Sequence, residues 1–385
     1  MPHTQSQNRS VSPLAVLCLL GALAAPSFLS AQPTLEDSPI RLSSNENAYG
    51  FTPKAKEAMM KYIKNGGYYN RNNVSELVAA LAKKENVTPE HVITTAGSGP
   101  VLMMTALAYA EPGKNVVTTA MGYTQLTRKF EASGGEIKYA PLSEEMGYDF
   151  DALKAAIDDD TVIVYICNPN NPTGSLADPN ELKKFIMSVP SDILVFVDEA
   201  YLELSEGSFA INTMSPMVKI RKNMLLARTF SKSYGMAGFR VGYGVGDPAV
   251  IEKIRHYYMG PPTYLTAIAA VEAIKDTEHM AKNAKRYQAV RKYTSEAFDQ
   301  MGIEYVPSQG AFIYFKSGMD VDKLREALAD SGILISGSRE SGVEPGTYSK
   351  WARVSMGKKS EMDAFLTTLA GLLGKEFSPS ENLSI

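Results

Sequence analysis

Cysteine and histidine are scarce in this 385-residue chain. There are only two cysteines, Cys18 and Cys167, and four histidines. Two thiols cannot form the framework of a disulfide-stapled domain, and Cys18 lies in a segment that we expect to be removed. The four histidines and the one remaining cysteine show no spacing that would hold a metal ion. The sequence therefore excludes a disulfide scaffold and predicts no metal site.

The chain also has no large excess of positive or of negative charge. The 39 Lys and Arg residues nearly balance the 42 Asp and Glu residues, so the formal net charge is −3. A nucleic-acid partner would call for a basic excess, which this chain does not have. With 44% hydrophobic and 21% charged residues, the composition is typical of a folded protein large enough for two cores. Small molecules are therefore the expected ligands.

The chain has no apolar run long enough to remain as a transmembrane helix. Its most apolar segment, residues 13–25, is preceded by Arg9 and followed by Ser30 and Ala31. A positive start, a short apolar run and a small residue at the cleavage point form the pattern of a secretory signal peptide. We therefore predict a signal peptide over residues 1–31 and an exported protein, periplasmic if the source is bacterial. A disordered extension of a cytoplasmic protein is the alternative.

The body of the chain alternates helical patterns with short β-rich runs. Between residues 62 and 276 this alternation predicts a large, doubly wound α/β domain with a mostly parallel sheet. The predicted strands are residues 92–95, 115–119, 161–166, 193–197, 224–228 and 242–245. Residues 277–376 predict a smaller α+β domain with strands at 303–306, 311–315, 333–335 and 351–355, which residues 32–61 join as an N-terminal arm. Residues 377–385 are expected to form a tail.

Two of these strands are apolar on both faces and end in polar clusters. Residues 162–166 lead into the sequence CNPNN, and residues 193–197 lead into DEAY. Strands that are apolar on both faces are typical of the centre of a parallel sheet. In open α/β sheets, ligands bind beyond the carboxyl ends of the strands. These two clusters are therefore the first candidates for a functional site.

The segment after the strand at 224–228 carries the most specific pattern. Residues 228–243 read RTFSKSYGMAGFRVGY, with Lys232 just after the strand and Arg240 eight residues later. A lysine and an arginine so placed suit a cofactor with an aldehyde and a phosphate. The segment resembles the lysine motif of fold-type I pyridoxal-phosphate (PLP) aminotransferases, and most of all that of the histidinol-phosphate aminotransferase group. Further segments resemble the family in the same order: LSSNENAYG at 42–50, NPTG at 171–174, DEAY at 198–201 and ARVS at 352–355.

This resemblance implies the fold and the PLP cofactor of that family, and roles for single residues. Lys232 resembles the lysine that forms a Schiff base with PLP and later moves a proton between substrate and cofactor. Asp198 resembles the carboxylate that pairs with the pyridine nitrogen. Tyr201 and Asn171 resemble the pair that hydrogen-bonds the ring hydroxyl oxygen, although NPTG alone would indicate only a turn. Lys232, Asp198 and Tyr201 form the predicted catalytic set.

The resemblance also implies a site for the phosphate group of PLP. Ser231 and Arg240 supply a hydroxyl and a cation, and the loop with Ser98 and Gly99 precedes a predicted helix whose first amides can hold an anion. This loop lacks the acidic residue that the family commonly has there, but its backbone donors remain. Tyr123 resembles the aromatic residue that stacks on the pyridine ring, and a core aromatic is the alternative.

One tyrosine implies a partner subunit. Tyr69 resembles the tyrosine that family members contribute to the PLP phosphate of the neighbouring subunit, which predicts a homodimer with composite active sites. A packing tyrosine is the alternative, because Tyr68 lies beside it in the sequence.

The resemblance further implies where the substrate binds. Arg353 resembles the arginine that holds the substrate carboxylate or an equivalent anion, and Tyr49 resembles a tyrosine that covers the substrate; Asn171 is counted with them. A structural arginine and a disordered arm are the alternatives. Family members usually carry an arginine at the position of Ser336, and the nearby Arg339 has a different spacing. This departure, together with the predicted export signal, weakens the case for histidinol phosphate itself.

The leading function is a transaminase that moves the amino group of an amino acid or related amine to an oxo acid such as 2-oxoglutarate. The expected donor is similar to histidinol phosphate or to an aromatic amino acid. A PLP-dependent carbon–sulfur lyase or decarboxylase on the same fold is the first alternative, since the sequence does not show which substrate bond would break. A non-catalytic binding protein is the second, and the intact set of site residues argues against it.

Overall fold

The computed structural model describes residues 39–69, 72–338 and 340–379. The predicted signal peptide at 1–31, Arg339 and most of the predicted tail lie outside the described residues. Within the described ranges, no helix combines the length and the apolar character needed to cross a bilayer.

The described residues form twelve strands and twelve α-helices. The strands are β1 (Ile40–Leu42), β2 (Val92–Thr95), β3 (Asn115–Thr119), β4 (Glu136–Ala140), β5 (Thr161–Cys167), β6 (Leu194–Asp198), β7 (Met224–Thr229), β8 (Gly242–Gly246), β9 (Glu304–Val306), β10 (Phe312–Lys316), β11 (Ile333–Gly337) and β12 (Trp351–Ser355). The helices are α1 (Pro53–Tyr62), α2 (Asn72–Glu85), α3 (Gly99–Tyr109), α4 (Gln125–Glu131), α5 (Phe150–Ala155), α6 (Pro179–Ser188), α7 (Phe209–Asn212), α8 (Pro248–Arg255), α9 (Tyr264–Lys275), α10 (Thr277–Gln300), α11 (Val321–Asp330) and α12 (Lys359–Leu373).

Seven of the strands form a mostly parallel sheet in the order β2-β8-β7-β6-β5-β3-β4. Strand β8 is antiparallel to both of its neighbours, whereas β7, β6, β5, β3 and β4 are mutually parallel. Every residue of β6 and β7 is buried, because apolar layers pack on both faces of the sheet. The carboxyl ends of β5, β6 and β7 therefore open at one edge of the sheet, where the polar clusters begin.

Helix α6 illustrates how the sequence forms the layers on this sheet. The carboxylate of Asp178 accepts hydrogen bonds from the backbone N–H groups of Asn180 and Glu181 at 2.9 and 3.0 Å, and Pro179 occupies the first turn. An acidic cap followed by proline satisfies the free N–H groups at a helix start. Leu182, Phe185 and Ile186 then form one buried face of the helix against the sheet.

The other five strands form a smaller sheet in the order β1-β11-β12-β10-β9. Strand β1 pairs parallel with β11, so the N-terminal arm is part of this sheet. Residues from α10, α11 and α12 join the sheet in a second apolar core. Its central strand β12 is fully buried and carries Arg353 and Ser355 on one face.

The predicted fold class is confirmed, with two strands that the sequence pattern did not reveal. Strand β1 has only three residues, and β4 is a five-residue edge strand in which the charged residues Glu136 and Lys138 leave only a short apolar face. Strand β6 begins one residue later than predicted and ends at Asp198, because Asp198 still pairs with its neighbours on β5 and β7. The domain boundaries at 62–276 and 277–376 stay a prediction.

Candidate active site

A cavity of about 490 Å³ lies at the carboxyl ends of β5, β6 and β7. Ten of the twelve predicted site residues line it: Ser98, Gly99, Tyr123, Asn171, Asp198, Tyr201, Ser231, Lys232, Arg240 and Arg353. Residues that are far apart in the sequence are thus brought to one cleft, at the edge of the sheet where α/β proteins bind ligands.

Lys232 presents a primary amine to this cavity. It follows β7 by three residues, and its Nζ donates hydrogen bonds to the carbonyl oxygens of Ser44 and Asn45 at 3.1 and 3.0 Å. Burial is the main cause that lowers the pKa of Lys232 to about 8, and the positive charge of Arg353 contributes to the same shift. A substantial share of this amine is therefore neutral near pH 8, which is the form that attacks a carbonyl or accepts a proton.

Asp198 lies at the end of β6 and is only 2% exposed. Its Oδ1 accepts a hydrogen bond from the backbone N–H of Ala200 at 3.2 Å, and its Oδ2 accepts one from the Tyr165 hydroxyl at 3.5 Å. Burial raises the pKa of Asp198 to about 7. A buried carboxylate with so few partners favours a cationic ligand group, since a positive charge beside it would offset the cost of burial.

Tyr201, Asn171 and Arg353 form one hydrogen-bonded group beside Lys232. The amide nitrogen of Asn171 donates to the Tyr201 hydroxyl at 3.4 Å, and Arg353 Nη1 donates to Asn171 Oδ1 at 2.6 Å. Burial raises the pKa of Tyr201, so its hydroxyl keeps its proton at neutral pH. The group can therefore donate a hydrogen bond to one ligand atom and present a cation to another.

The opposite wall of the cavity has the character of a phosphate site. Gly97 lies against Arg240: a Cβ there would be 2.2 Å from Arg240 Nη2 and would displace the guanidinium, and the positive φ of 89° at Gly97 favours glycine. Arg240 Nη1 donates to the Ser231 hydroxyl at 3.3 Å. Next to them, the first turn of α3 begins at Gly99 and has Pro100 in it. Backbone N–H groups at a helix start, a hydroxyl and an arginine together suit a phosphate.

The polar groups of this cavity match the functional groups of PLP one by one. The cleft offers a buried acid for a ring nitrogen, a hydroxyl for a ring oxygen, an amine for an aldehyde and a cationic wall for a phosphate. The aromatic ring of Tyr123 also lines the cavity, and its hydroxyl donates to Gln125 Oε1 at 2.9 Å. Asp198, Tyr201, Lys232 and Arg240 would hold the cofactor.

Two predicted residues lie outside the cavity wall. Tyr49 packs edge-on against Tyr287, with ring centroids 6.0 Å apart, and Arg286 lies over its other side. Tyr69 is fully exposed. The structure therefore places neither residue against the cavity of its own subunit.

Sequence reasoning missed part of the cavity wall. Residues 43–46 of the N-terminal arm line the cavity, and the carbonyl oxygens of Ser43, Ser44, Asn45 and Glu46 all accept hydrogen bonds from the site or its neighbours. These residues belong to the segment LSSNENAYG, which was recognised as a landmark without a role for each residue. Their partners lie on distant strands and helices, so no local pattern identifies them.

The lowered pKa of Lys232 has a direct test. In the protein without cofactor, labelling of Lys232 by acetic anhydride is expected to rise with pH around a midpoint near 8, well below the value of about 10.4 for an ordinary lysine. Mass spectrometry of labelled peptides measures the midpoint, with exposed Lys222 as the internal control. A midpoint equal to that of Lys222 would contradict the effect of burial and of Arg353.

The chain is similar to known proteins over most of its length. A sequence model of the family described as aminotransferase class I and II matches residues 37–369. The histidinol-phosphate aminotransferase of Halalkalibacterium halodurans is 32% identical over 342 residues, which cover 88% of this chain and 90% of that protein. The histidinol-phosphate aminotransferase of Brevibacillus brevis is 33% identical over 331 residues, covering 86% and 89%. The crystal structure of histidinol-phosphate aminotransferase from Sinorhizobium meliloti in complex with pyridoxal-5'-phosphate has a TM-score of 0.78 and 25% identity, covering 87% of this chain and 90% of that one.

Proposed function

This chain belongs to the class I and II aminotransferase family, and from that premise we propose which amino compounds it uses and how its subunits combine. It is a PLP-dependent aminotransferase. We propose that its amino donor carries an anionic group and resembles histidinol phosphate or an aromatic amino acid, and that a 2-oxo acid such as 2-oxoglutarate is the acceptor.

The position of Arg353 carries this proposal. Its guanidinium lines the cavity beside Lys232, yet the side chain is only 3% exposed. Two of its nitrogens are held in place, Nη1 by Asn171 Oδ1 and Nη2 by the Ser43 carbonyl at 2.7 Å. A fixed, buried guanidinium in the wall of such a site suits a carboxylate or phosphate on the substrate. An anionic end held there would place the amino group of the donor near Lys232.

The other residues of the cavity have separate roles in the proposed reaction. PLP, when bound, supplies an aldehyde that takes up the amino group and a ring that accepts an electron pair. Lys232 is the group that can remove and return a proton at the substrate carbon, since its Nζ lies in the cavity and its pKa is close to neutral. Asp198 would hold the ring nitrogen of PLP, and Tyr201 would hold the ring oxygen.

The test is a half-reaction with one amino compound at a time and no oxo acid. Histidinol phosphate, phenylalanine and aspartate are each added to the PLP-loaded protein, and conversion of PLP to pyridoxamine phosphate is followed by absorbance and chromatography. Stoichiometric conversion by one donor, reversed by 2-oxoglutarate, supports the proposal. Release of ammonia or carbon dioxide with PLP unchanged would instead show an elimination or a decarboxylation.

Ser336 is expected to set how strongly a second anionic group is held. Ser336 and Arg353 are directly paired across β11 and β12, so a cation at 336 would lie beside the guanidinium. We expect Ser336→Arg to lower the KM for a phosphate-bearing donor by roughly tenfold or more through an added charge-assisted hydrogen bond. Steady-state kinetics with histidinol phosphate and phenylalanine measure the effect.

Ser331→Arg is the matched control for this variant, because it adds the same charge at an exposed position just after α11. An equal fall in KM for both donors, or the same fall in the control, would contradict a local role of position 336.

We propose that the active unit is a homodimer. Met60, Ile63, Tyr68 and Tyr69 leave large apolar surfaces exposed at the end of α1 and in the segment after it. Exposed apolar side chains grouped in this way are typical of a protein interface. The exposure of Tyr69 supports a role in the site of a second copy, since its hydroxyl has no contact with the cavity of its own chain.

The dimer proposal predicts the effect of Tyr69→Phe. Loss of one hydrogen bond to a phosphate is expected to weaken PLP binding by roughly tenfold, with no change in which substrate bond breaks. Equilibrium titration of the cofactor-free protein measures the dissociation constant, and sedimentation gives the mass. Tyr68→Phe is the matched control. An unchanged PLP affinity in the Tyr69 variant would contradict a phosphate contact.

We also propose that residues 1–31 direct export. Support comes from the sequence pattern alone: Arg9, the apolar segment 13–25 and Ala31 before Gln32. Fractionation of cells that produce the full chain, with N-terminal sequencing of the product, tests this. A cytoplasmic protein with an intact Met1 would refute it.

A further inference from the structure

We infer that Asn45 is a positioning residue for Tyr201: its side-chain amide holds the Tyr201 hydroxyl so that the hydroxyl donates its proton into the cofactor cavity. The inference rests on the assignment of PLP to this cleft. It goes beyond that assignment because it gives Asn45 a role of its own, which is to orient the hydroxyl of Tyr201.

Asn45 is held on the smaller sheet by a closed pair of hydrogen bonds. It lies in the N-terminal arm, is 2% exposed and has a left-handed φ of 55°, a conformation that asparagine and aspartate tolerate. Its backbone N–H donates to Ser355 Oγ at 2.8 Å, and Ser355 Oγ donates to Asn45 Oδ1, also at 2.8 Å. Because the serine proton is directed at Oδ1, the orientation of the amide is fixed.

The fixed amide turns its nitrogen towards Tyr201. Asn45 Nδ2 donates to the Tyr201 hydroxyl at 3.0 Å. On the other side, Asn171 Nδ2 donates to the same hydroxyl at 3.4 Å. The orientation of Asn171 is also fixed, since Arg353 Nη1 donates to its Oδ1 at 2.6 Å. Tyr201 is therefore flanked by two N–H donors, each oriented by a third residue.

Two donors occupy both lone pairs of a tyrosine hydroxyl, which leaves only its own O–H to be placed. Within the described part of the chain, no group accepts a hydrogen bond from Tyr201, and Tyr201 lines the cavity. The O–H group therefore points to the ligand. A donor aimed at the ring oxygen of PLP stabilises that oxygen as an anion and keeps the proton affinity of the bound cofactor low.

The substitution Asn45→Asp replaces the N–H donor that faces Tyr201 with an oxygen acceptor and hardly changes the shape of the side chain. One carboxylate oxygen still accepts from Ser355, while the other replaces the N–H and accepts the proton of Tyr201. The cavity then loses its donor. We expect the pH midpoint of the visible absorption change of the PLP-loaded protein to rise by about 1 to 2 units, which corresponds to one charge-assisted hydrogen bond.

The added negative charge would by itself move the midpoint in the same direction, so the experiment is a double-mutant cycle with Tyr201→Phe. In the Tyr201→Phe background, Asn45→Asp is expected to cause a much smaller shift, because no hydroxyl remains to be turned. Ser355→Ala, which frees the amide of Asn45, is expected to raise the midpoint partway. Circular dichroism confirms that each variant is folded.

Equal shifts from Asn45→Asp in both backgrounds would overturn the inference, because charge alone would then explain them. An unchanged midpoint in both Asn45→Asp and Ser355→Ala would overturn it as well. If the unmodified protein takes up no PLP, the proposed function fails together with this inference, and that outcome is seen before any variant is made.

Discussion

Replacing Lys232 with alanine is expected to abolish turnover, with a fall in kcat of at least about a thousandfold. Among the described residues that line the cavity, Lys232 is the one that carries an amine, and burial lowers the pKa of this amine to about 8. Arg240 and Arg353 also line the cavity, but a guanidinium does not give up its proton in this pH range. No other described residue of the cavity wall has an amine that could both bond to the cofactor and move the substrate proton.

Two observations separate this loss from unfolding. Borohydride reduction of the PLP-loaded protein is expected to attach the cofactor to Lys232 in the unmodified chain and to leave no attachment in Lys232→Ala. A small primary amine added to the variant is expected to restore part of the activity, since it can enter the space left by the side chain. Lys222→Ala removes an exposed lysine and is the matched control. Normal turnover by Lys232→Ala would refute the assigned role.

The sequence was most informative where one strand determines the position of a side chain. Asp198 is the last residue of one fully buried strand and Lys232 follows another, and a polar residue at the end of such a strand must lie at the edge of the sheet. The apolar runs that form β5 and β6 therefore predict the position of the cleft from the sequence alone. The parallel pairing of these two strands agrees with their two-sided apolar pattern.

Contacts between distant segments were beyond the reach of sequence patterns. Asn45 is 310 positions from Ser355 and 156 positions from Tyr201, and only the folded chain brings them together. Nothing in the local sequence distinguishes Asn45 from Asn47, whose side chain instead donates to the backbone of Lys232 and Ser233. The same holds for Tyr49, whose packing against Tyr287 depends on the position of α10.

The network around the cavity also shows that binding and chemistry share residues. Arg353, the group proposed to bind the substrate anion, orients Asn171, which contacts Tyr201. Arg353 also contributes to the low pKa of Lys232. A change at the substrate end of the cleft is therefore transmitted to the groups that hold the cofactor.

Arg353→Ala is expected to lower kcat/KM for donors that carry a carboxylate or phosphate by roughly 10- to 100-fold, since a buried charge-assisted hydrogen bond contributes about 1.5–3 kcal/mol. For a neutral amine such as benzylamine, the expected change is small. Loss of the positive charge also raises the pKa of Lys232, so the acid-side limb of the pH–rate profile, where the neutral amine is lost, should move to higher pH.

Two further variants decide whether this arginine binds substrate or only supports the fold. Arg353→Lys keeps the charge but not the planar fork, and it is expected to recover the Lys232 pKa more fully than the donor affinity. Arg255→Ala removes an exposed arginine on α8 that lies 3.6 Å from Glu252 on the same helix, away from the cavity wall, and should change neither property. If Arg353→Ala slows anionic and neutral donors equally, the guanidinium is structural. A loss confined to anionic donors, together with the shifted pH profile, would show that Arg353 both binds the substrate anion and lowers the pKa of Lys232.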